Sequence, residues 1–275
     1  MRIRSTPHCH TPYADGKSTA EELVRAAIDA DFVSIGISEH GQQRFDREYC
    51  MSDEDLPRYL GELRALREAY ADRIRLHIGI ERDLYSHAAR EDFEYVLGAC
   101  HYIFKGEAYC AADGAYETLT AFRDAHFGGS GEKMAAEFFR VSGAYALDYR
   151  PDIFAHFDLI QKQNKGGRLY NPENKICLDA AFEALEMIYA SGALLEVNTG
   201  GMARGFMDTP YPAMPLLKRW HELGGRVIAG SDCHYAPHIA FGFEMLPGYL
   251  AEAGFDTAWR LGGAGEELFV EFPIR

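Results

Sequence analysis

The stretch HCHTPYADG, residues 8–16, places two histidines one residue apart and follows them with an acid and a glycine. In an extended segment residues i and i+2 point to the same side, so His8 and His10 can reach one metal ion while Cys9 points away. Asp15 is a third candidate ligand. A pair of histidines with this spacing also occurs by accident in a chain with 11 histidines, so the motif needs structural context.

The elements that would position these residues follow a rhythm of short β-type runs and longer helical patterns. The β-type runs cover residues 2–6, 32–38, 74–81, 100–104, 152–157, 193–199 and 226–232. The candidate helices lie near residues 18–30, 52–71, 115–125, 130–149, 173–191, 212–223 and 245–253. Such strand–helix units predict an α/β fold with a parallel sheet, most simply closed into a barrel that resembles the TIM fold. Residues 259–275 instead predict a hairpin around a glycine-rich turn, and we expect a single domain over residues 1–275.

Residues of ligand type cluster where these strands end. In TIM-like barrels the chemistry sits at the C-terminal ends of the strands. The strand ends carry His8, His10, Glu39, His40, Glu81, His156, Asp232 and His234. His101 opens the fourth run, so its position is ambiguous. The other histidines, for which a solvated or hydrogen-bonded role is the better interpretation, are His77, His87, His126, His221 and His238.

The donor types point to a transition metal. Imidazole and carboxylate together suit Zn, Fe or Mn better than Ca or Mg. The run Asp232-Cys233-His234 repeats the i, i+2 spacing, so Cys233 and Cys9 are expected to be bystanders. The alternative is a polar barrel mouth that holds no metal.

Composition limits the possible partners. The formal net charge of −14 argues against a long nucleic acid or an anionic membrane surface. It leaves room for a small anionic substrate, because bound cations reverse the local potential. The six cysteines form no C-x-x-C pair and are expected to be free and mostly buried. The start of the chain lacks the apolar stretch of a signal peptide, and no run approaches the length of a membrane span, so we expect a cytoplasmic protein. The sequence does not indicate an oligomeric state.

The ordered series HCHTPYADG, SEH, GIE, CHYI, AHFDLI and GSDCH resembles the polymerase-and-histidinol-phosphatase (PHP) superfamily of metal-dependent phosphoesterases. The longer runs AHFDLIQKQN, ALLEVNTGGMARG, TPYPAMPLLKRW and GGRVIAGSDCH are similar to its monofunctional histidinol-phosphate phosphatases. The resemblance spans roughly residues 3–250 and implies a distorted (βα)7 barrel with three divalent ions. Carried over, the first ion is held by His8, His10, Glu81 and Asp232. The second shares Glu81 and adds His101 and His156, and the third takes Asp15, His40 and His234.

The resemblance implies hydrolysis of L-histidinol phosphate to L-histidinol and phosphate, a step of histidine biosynthesis. A hydroxide between two carboxylate-bridged ions would attack phosphorus, with Glu81, Asp232 and His234 as the residues that carry the chemistry. Arginine donors match phosphate oxygens, and Arg204 in a glycine-containing loop is our first candidate clamp, with a solvated loop arginine as the alternative. Arg168 and Lys105 are weaker candidates.

Two other functions stay open at this stage. The chain can be a PHP phosphoesterase that acts on another small phosphate ester or on a nucleotide. It can also be a metal-binding regulatory module without activity, although every expected ligand position is filled by a suitable residue.

Overall fold

The computed structural model describes residues 2–274, in which strands and helices alternate along the chain. The strands and helices are, in chain order, β1 (Ser5–Thr6), α1 (Ala20–Asp29), β2 (Ser34–His40), α2 (Leu56–Ala69), β3 (Arg75–Asp83), β4 (Tyr95–Ala99), β5 (Tyr102–Lys105), β6 (Ala108–Ala111), α3 (Tyr116–His126), α4 (Gly131–Tyr149), β7 (Ile153–Phe154), α5 (Lys175–Ser191), β8 (Leu194–Asn198), α6 (Gly200–Ala203), α7 (Met214–Glu222), β9 (Val227–Gly230), α8 (Leu246–Ala253), β10 (Thr257–Leu261) and β11 (Phe269–Pro273). Short 3₁₀ helices lie at Arg90–Asp92, Leu159–Gln163, Lys165–Gly167 and Ala236–His238.

One large sheet organises the chain, with the order β1-β2-β3-β4-β7-β8-β9-β10-β11. Neighbours from β1 to β10 pair in parallel, and β11 pairs antiparallel with β10. The prediction of an α/β fold with a mostly parallel sheet is therefore confirmed, and so is the terminal hairpin. Beyond β1, the backbone of residues 8–10 pairs with Cys233, which follows β9.

The predicted position of the fourth strand was wrong. Residues 95–99 form the parallel strand β4, whereas the predicted run 100–104 contributes β5 to a separate antiparallel hairpin with β6. No long helix separates β3 from Tyr95–Ala99, so the alternation of strands and helices did not predict a strand there. His101 therefore lies just after the C-terminal end of a sheet strand, which resolves its ambiguity.

Alternation along the strands separates two faces of the sheet. On β3, Leu76, Ile78 and Ile80 belong to the large apolar core under the helices, while His77 and Glu81 occupy the opposite face. A second apolar cluster, built around Tyr95, Leu97, Ile153, Leu194, Ile228 and Leu261, lies on that opposite face. The polar groups near the strand ends therefore lie on the same face of the sheet as this smaller apolar cluster.

The helices cover the outer face through amphipathic patterns. α1 begins with a capping box, in which Thr19 caps the helix and Glu22 bonds back to the Thr19 backbone. It buries Leu23, Val24 and Ala27 against the sheet. Within residues 2–274, no helix combines the length and the apolar character needed to cross a membrane.

Candidate metal centre

Strand register places the first ligand-type residues side by side. In the parallel pair β2–β3, His40 lies opposite Glu81. Both residues are buried, and Glu81 is 1% exposed. This register brings the C-terminal ends of β2 and β3 to one place, as expected from the sequence for these two strands.

The two i, i+2 motifs lie against each other. The backbone NH of His10 donates to the carbonyl of Cys233 over 2.9 Å, and the NH of Cys233 donates to the carbonyl of His8 over 3.1 Å. This pairing brings His8 and His10 next to Asp232. The intervening Cys9 and Cys233 point into the apolar core, as expected for bystanders. All six cysteines are free and buried, which confirms that expectation.

Glu81 lies at the centre of the cluster and contacts histidines through both carboxylate oxygens. Its Oε1 lies 2.8 Å from Nε2 of His156 and 3.4 Å from Nε2 of His101. Its Oε2 lies 3.3 Å from Nε2 of His8 and 2.8 Å from Nδ1 of His40. A carboxylate in this position can bridge ions held on its two sides.

The geometry around Oε2 of Glu81 fits a tetrahedral ion. Nε2 of His10 lies 3.5 Å from this oxygen and 3.3 Å from Oδ1 of Asp232, and Nε2 of His8 lies 3.7 Å from Oδ1 of Asp232. Metal bonds of about 2.0–2.1 Å separate neighbouring ligand atoms of a tetrahedral ion by about 3.3–3.4 Å. Nε2 of both histidines is buried without a hydrogen-bond partner among the described residues. Unpaired buried polar atoms are costly, so these residues fit a divalent metal ion.

A further group lies nearer to solvent. Oδ1 of Asp15 is 3.2 Å from Nε2 of His234 and 3.6 Å from Nε2 of His40. The Asp15 side chain is 38% exposed, whereas Glu81 is enclosed. This group is therefore the more open part of the cluster.

All nine predicted metal-ligand residues fall into four overlapping groups whose donor atoms lie within 4.8 Å of one another. The groups are His10, Asp15, His40 and His234; His8, Glu81 and His156; His8, His10 and Asp232; and His40, Glu81 and His101. Among residues 2–274, none of the five histidines predicted to be structural belongs to such a group. The structure thus brings the candidate ligands together and leaves the other histidines out.

The electrostatics of the cluster favour cations. Burial opposes a charged carboxylate, but the imidazoles of His40 and His8 hold the pKa of Glu81 well below its usual range. Burial also opposes a charged imidazole at His101, yet Glu81 offsets this and raises the pKa of His101 to about 9. Burial instead lowers the pKa of His40 to about 4. Ionised carboxylates at the centre stabilise positive charge there, and metal binding would displace the protons of the imidazoles.

Glu196 supports the cluster and was not predicted. It is 0% exposed, and its Oε1 lies 2.7 Å from Nδ1 of His8. Its Oε2 accepts hydrogen bonds from the backbone NH of His156 and from the side-chain amide of Asn198. Carboxylates behind ligating histidines fix their tautomer and orientation. The signal in the sequence was the single acid inside the apolar run ALLEVNT.

Two other acids lie behind histidines of the cluster. Oδ2 of Asp83 is 3.2 Å from Nδ1 of His101. Glu39 falls in none of the four groups, because alternation turns it away from the side that His40 occupies. Its carboxylate accepts hydrogen bonds from the backbone and hydroxyl of Thr11, and its Oε2 lies 3.8 Å from Nδ1 of His10. Glu39 thus positions the loop that carries His10 rather than joining the ligand groups.

Backbone geometry at Asp232 is specialised. Asp232 has a φ of 47°, in the left-handed region that non-glycine residues rarely adopt and that concentrates at functional sites. A Cβ at Gly200 would lie 2.7 Å from the Asp232 side chain, so glycine there permits the close approach. The same holds at Gly230, where a Cβ would lie 1.8 Å from Oε1 of Glu196.

A cavity of about 250 Å³ opens over the cluster, and we call it the site cavity. Arg204 lines it and donates to Oδ2 of Asp232 over 2.7 Å. Lys162, which the sequence analysis missed, also lines it and pairs with Asp113 at 2.7 Å. Its run DLIQK follows β7, but a lysine carries no metal-ligand signal.

The other two predicted substrate residues do not line the site cavity. Arg168 is exposed, donates to the carbonyl of Gln163 and stacks 4.2 Å from the ring of Tyr116. Lys105 lies on the β5–β6 hairpin with its ammonium 5.5 Å from the ring of Phe127. The expectation for these two positions is not supported by their placement.

Known proteins resemble the chain along most of its length. A "Probable histidinol-phosphatase" of Deinococcus radiodurans is 25% identical over 91% of this chain and 94% of its own. The "Histidinol-phosphatase" of Bacillus subtilis is 22% identical over 87% of this chain and 96% of its own. A crystal structure of histidinol phosphate phosphatase from Lactococcus lactis, complexed with zinc, L-histidinol and phosphate, matches the fold with a TM-score of 0.71. That match has 19% identity and covers 94% of this chain and 96% of the other.

The family itself is identified by sequence. A sequence model of the PHP domain matches residues 7–200, which is more than half of the chain and includes seven strands of the structure, β2 to β8, and most of the predicted ligand residues. The ordered motifs that suggested this superfamily thus find their counterpart in the match, and the chain belongs to the PHP domain family.

Proposed function

We propose that this chain is a metal-dependent phosphomonoesterase that hydrolyses L-histidinol phosphate to L-histidinol and phosphate. The observation that carries the proposal is the buried Glu81, whose two oxygens face separate sets of histidines beneath a cavity lined by Arg204 and Lys162. The names of the full-length relatives support the choice of substrate.

Three groups of residues would hold the ions. His8, His10, Glu81 and Asp232 would hold the first, Glu81, His101 and His156 the second, and Asp15, His40 and His234 the third. Zn, Fe or Mn suits this mixture of imidazole and carboxylate. When bound, such ions lower the pKa of water towards neutrality and neutralise phosphate oxygens. Glu81, Asp232 and His234 would be the main residues through which the chain supports this chemistry.

The chain's own residues would orient the ester. The guanidinium of Arg204 presents planar donors that match phosphate oxygens, and Asp232 holds it at the cavity wall. Lys162, which pairs with Asp113, adds a second cation to the cavity wall, and both cations also line the cavity beyond His234. Glu196 would keep the proton of His8 on Nδ1, so that Nε2 stays free to bind metal.

The architecture we infer is one PHP-type domain over residues 1–275, closed into a distorted (βα)7 barrel. The hydrogen bonds between residues 8–10 and Cys233 support closure, because they join the segment after β1 to the segment after β9. The partner is a small phosphorylated molecule rather than a long nucleic acid or a membrane. A cytoplasmic location stays a prediction.

The first experiment is phosphate release from purified protein of measured metal content. L-histidinol phosphate is compared with a panel of sugar phosphates and nucleotides. A strong preference for L-histidinol phosphate, as kcat/KM, is the expected result. Phosphate release from other esters alone would support a metal-dependent phosphoesterase but reject L-histidinol phosphate as its substrate.

A further inference from the structure

The site cavity has two chemically different sides. Arg204 and Lys162 carry positive charge on one side, where both also line a second cavity that Asp46, Tyr49 and Tyr102 do not reach. The loop between β2 and α2 supplies Asp46 and Tyr49 to the wall, and Tyr102 at the start of β5 lies beside Asp46. A ligand that spans the cavity therefore meets cations at one end and an acid with aromatic rings at the other.

Of the carboxylates that line the site cavity, Asp46 is the one that neither belongs to a candidate ligand group nor pairs with a cation. Asp15 and Asp232 belong to the candidate ligand groups, and Asp113 is paired with Lys162. Asp46 accepts a hydrogen bond from the hydroxyl of Tyr102 over 2.6 Å through Oδ2. Within residues 2–274, no lysine, arginine or histidine forms an ion pair with it, so its negative charge stays without a cation.

Aromatic rings connect this acid to the metal cluster. The ring centroid of Tyr49 lies 4.8 Å from that of His40 and 6.3 Å from that of Tyr102. Faces of tyrosine rings attract organic cations, and the carboxylate at the end of the row adds a full negative charge. This side of the cavity therefore fits a small organic cation held next to the cluster.

An adjoining cavity beyond His234 offers a different environment. It is lined by Lys17, Phe206, Tyr235 and His238, and its acids are Asp15 and Asp232, both already in the ligand groups. An organic cation gains no free carboxylate there. The charges thus favour the side formed by Asp46, Tyr49 and Tyr102.

We propose that Asp46 binds the protonated amino group of the leaving alcohol and makes the enzyme selective for phosphate esters of cationic amino alcohols. This inference rests on the proposed function, since it assumes that the phosphate lies at the metal cluster and Arg204. Tyr102 acts as a positioning residue that holds the carboxylate of Asp46. Tyr49 provides the aromatic face between the cluster and the acid.

The test variant is Asp46→Asn, because the asparagine oxygen still accepts the hydrogen bond from Tyr102 while the charge is lost. Asp179→Asn on the outer face of α5, where Asp179 pairs with Lys175, is the matched control. Each protein is assayed with L-histidinol phosphate and with p-nitrophenyl phosphate, whose leaving group has no cation. L-histidinol is also tested as an inhibitor of p-nitrophenyl phosphate hydrolysis.

For Asp46→Asn we expect kcat/KM for L-histidinol phosphate to fall by about 10- to 100-fold, mainly through KM, as for the loss of a hydrogen bond between charged groups. For p-nitrophenyl phosphate we expect a change of less than about twofold, and the inhibition constant of L-histidinol should rise by about tenfold or more. Tyr102→Phe should change both in the same direction by a smaller factor. The control should behave as the wild type.

Equal losses on both esters, or no loss on either, would overturn the role of Asp46. If the wild type does not hydrolyse L-histidinol phosphate, the proposed function fails, and the inhibition data then decide the inference separately. A weaker inhibition of Asp46→Asn by L-histidinol would still support cation binding at Asp46. An inhibition constant unchanged from the wild type, or no inhibition of either protein, would reject it.

Discussion

Glu196 offers a way to perturb the candidate metal centre without changing a candidate ligand. Its Oε1 faces Nδ1 of His8 at 2.7 Å, and an ionised carboxylate can only accept, so the proton of His8 lies on Nδ1. Nε2 then presents its lone pair towards Glu81 and Asp232. The variant Glu196→Gln keeps the shape of the side chain and replaces one acceptor oxygen by an NH₂ group.

The hydrogen bonds of Glu196 decide where that NH₂ group lies. Oε2 accepts from two donors, the backbone NH of His156 at 3.0 Å and the amide of Asn198 at 2.8 Å, so the glutamine oxygen stays there. The NH₂ group then faces Nδ1 of His8, and the imidazole proton moves to Nε2. Loss of such a supporting carboxylate costs about 10- to 100-fold in metal affinity or activity, which corresponds to about 1.4–2.7 kcal/mol.

The assay is metal affinity, measured on metal-free protein by competition with a chromogenic zinc chelator, together with kcat/KM at saturating metal. Glu271→Gln, which changes an exposed acid paired with Thr257, serves as the control. Urea unfolding of the metal-free proteins checks that the fold is retained. Metal affinity and kcat/KM equal to those of the wild type would refute the tautomer argument and the assignment of Nε2 of His8 as a ligand atom.

Three further variants probe other parts of the site. Glu81→Gln should lower turnover by more than about 100-fold with an unchanged circular dichroism spectrum, because it weakens both sides of a bridging carboxylate; near-normal activity would contradict the bridge. Arg204→Ala should lower kcat/KM for phosphate esters by at least about tenfold, because a charged contact to phosphate is lost. An unchanged kcat/KM would show that Arg204 does not bind the phosphate. Gly230→Ala forces the Glu196 carboxylate to move, so urea unfolding should show a loss of about 1–3 kcal/mol and metal affinity should fall; wild-type values of both would show that the site relaxes freely.

Much of the architecture could be predicted because it is encoded locally. Each of the seven predicted helices occurs within a few residues of its expected range, from α1 at Ala20–Asp29 to α8 at Leu246–Ala253. The start of α1 can be recognised from the capping box that Thr19 and Glu22 form. The candidate ligands could be found because most of them lie at or soon after the end of a strand that is recognisable in the sequence. Parallel strands then bring their C-terminal ends to one edge of the sheet.

The placement of β4 could not be predicted from local pattern. Residues 95–99 and 102–105 are both short β-type runs, and only pairing with β3 and β7 selects the first for the large sheet. Arg168 illustrates a related difficulty, because its loop gives no local signal that its guanidinium bonds to Gln163 rather than reaching the cavity. Long side chains on loops take their direction from tertiary contacts that a single sequence does not contain.

The position of Glu196 on β8 follows from the alternation of side chains along the strand. Residues of one strand alternate between the faces of the sheet, so a strand that ends near a metal site presents every second residue towards it. On β3 this parity joins Glu81 to Asp83, and on β8 it joins Glu196 to Asn198. Glu196 lies two residues before the end of β8 and therefore shares the face of the site, although it is not at the strand end where ligands are expected. Applied strand by strand, parity separates the supporting carboxylates Asp83 and Glu196 from Glu39, which lies on the other face of β2 and acts through Thr11 instead.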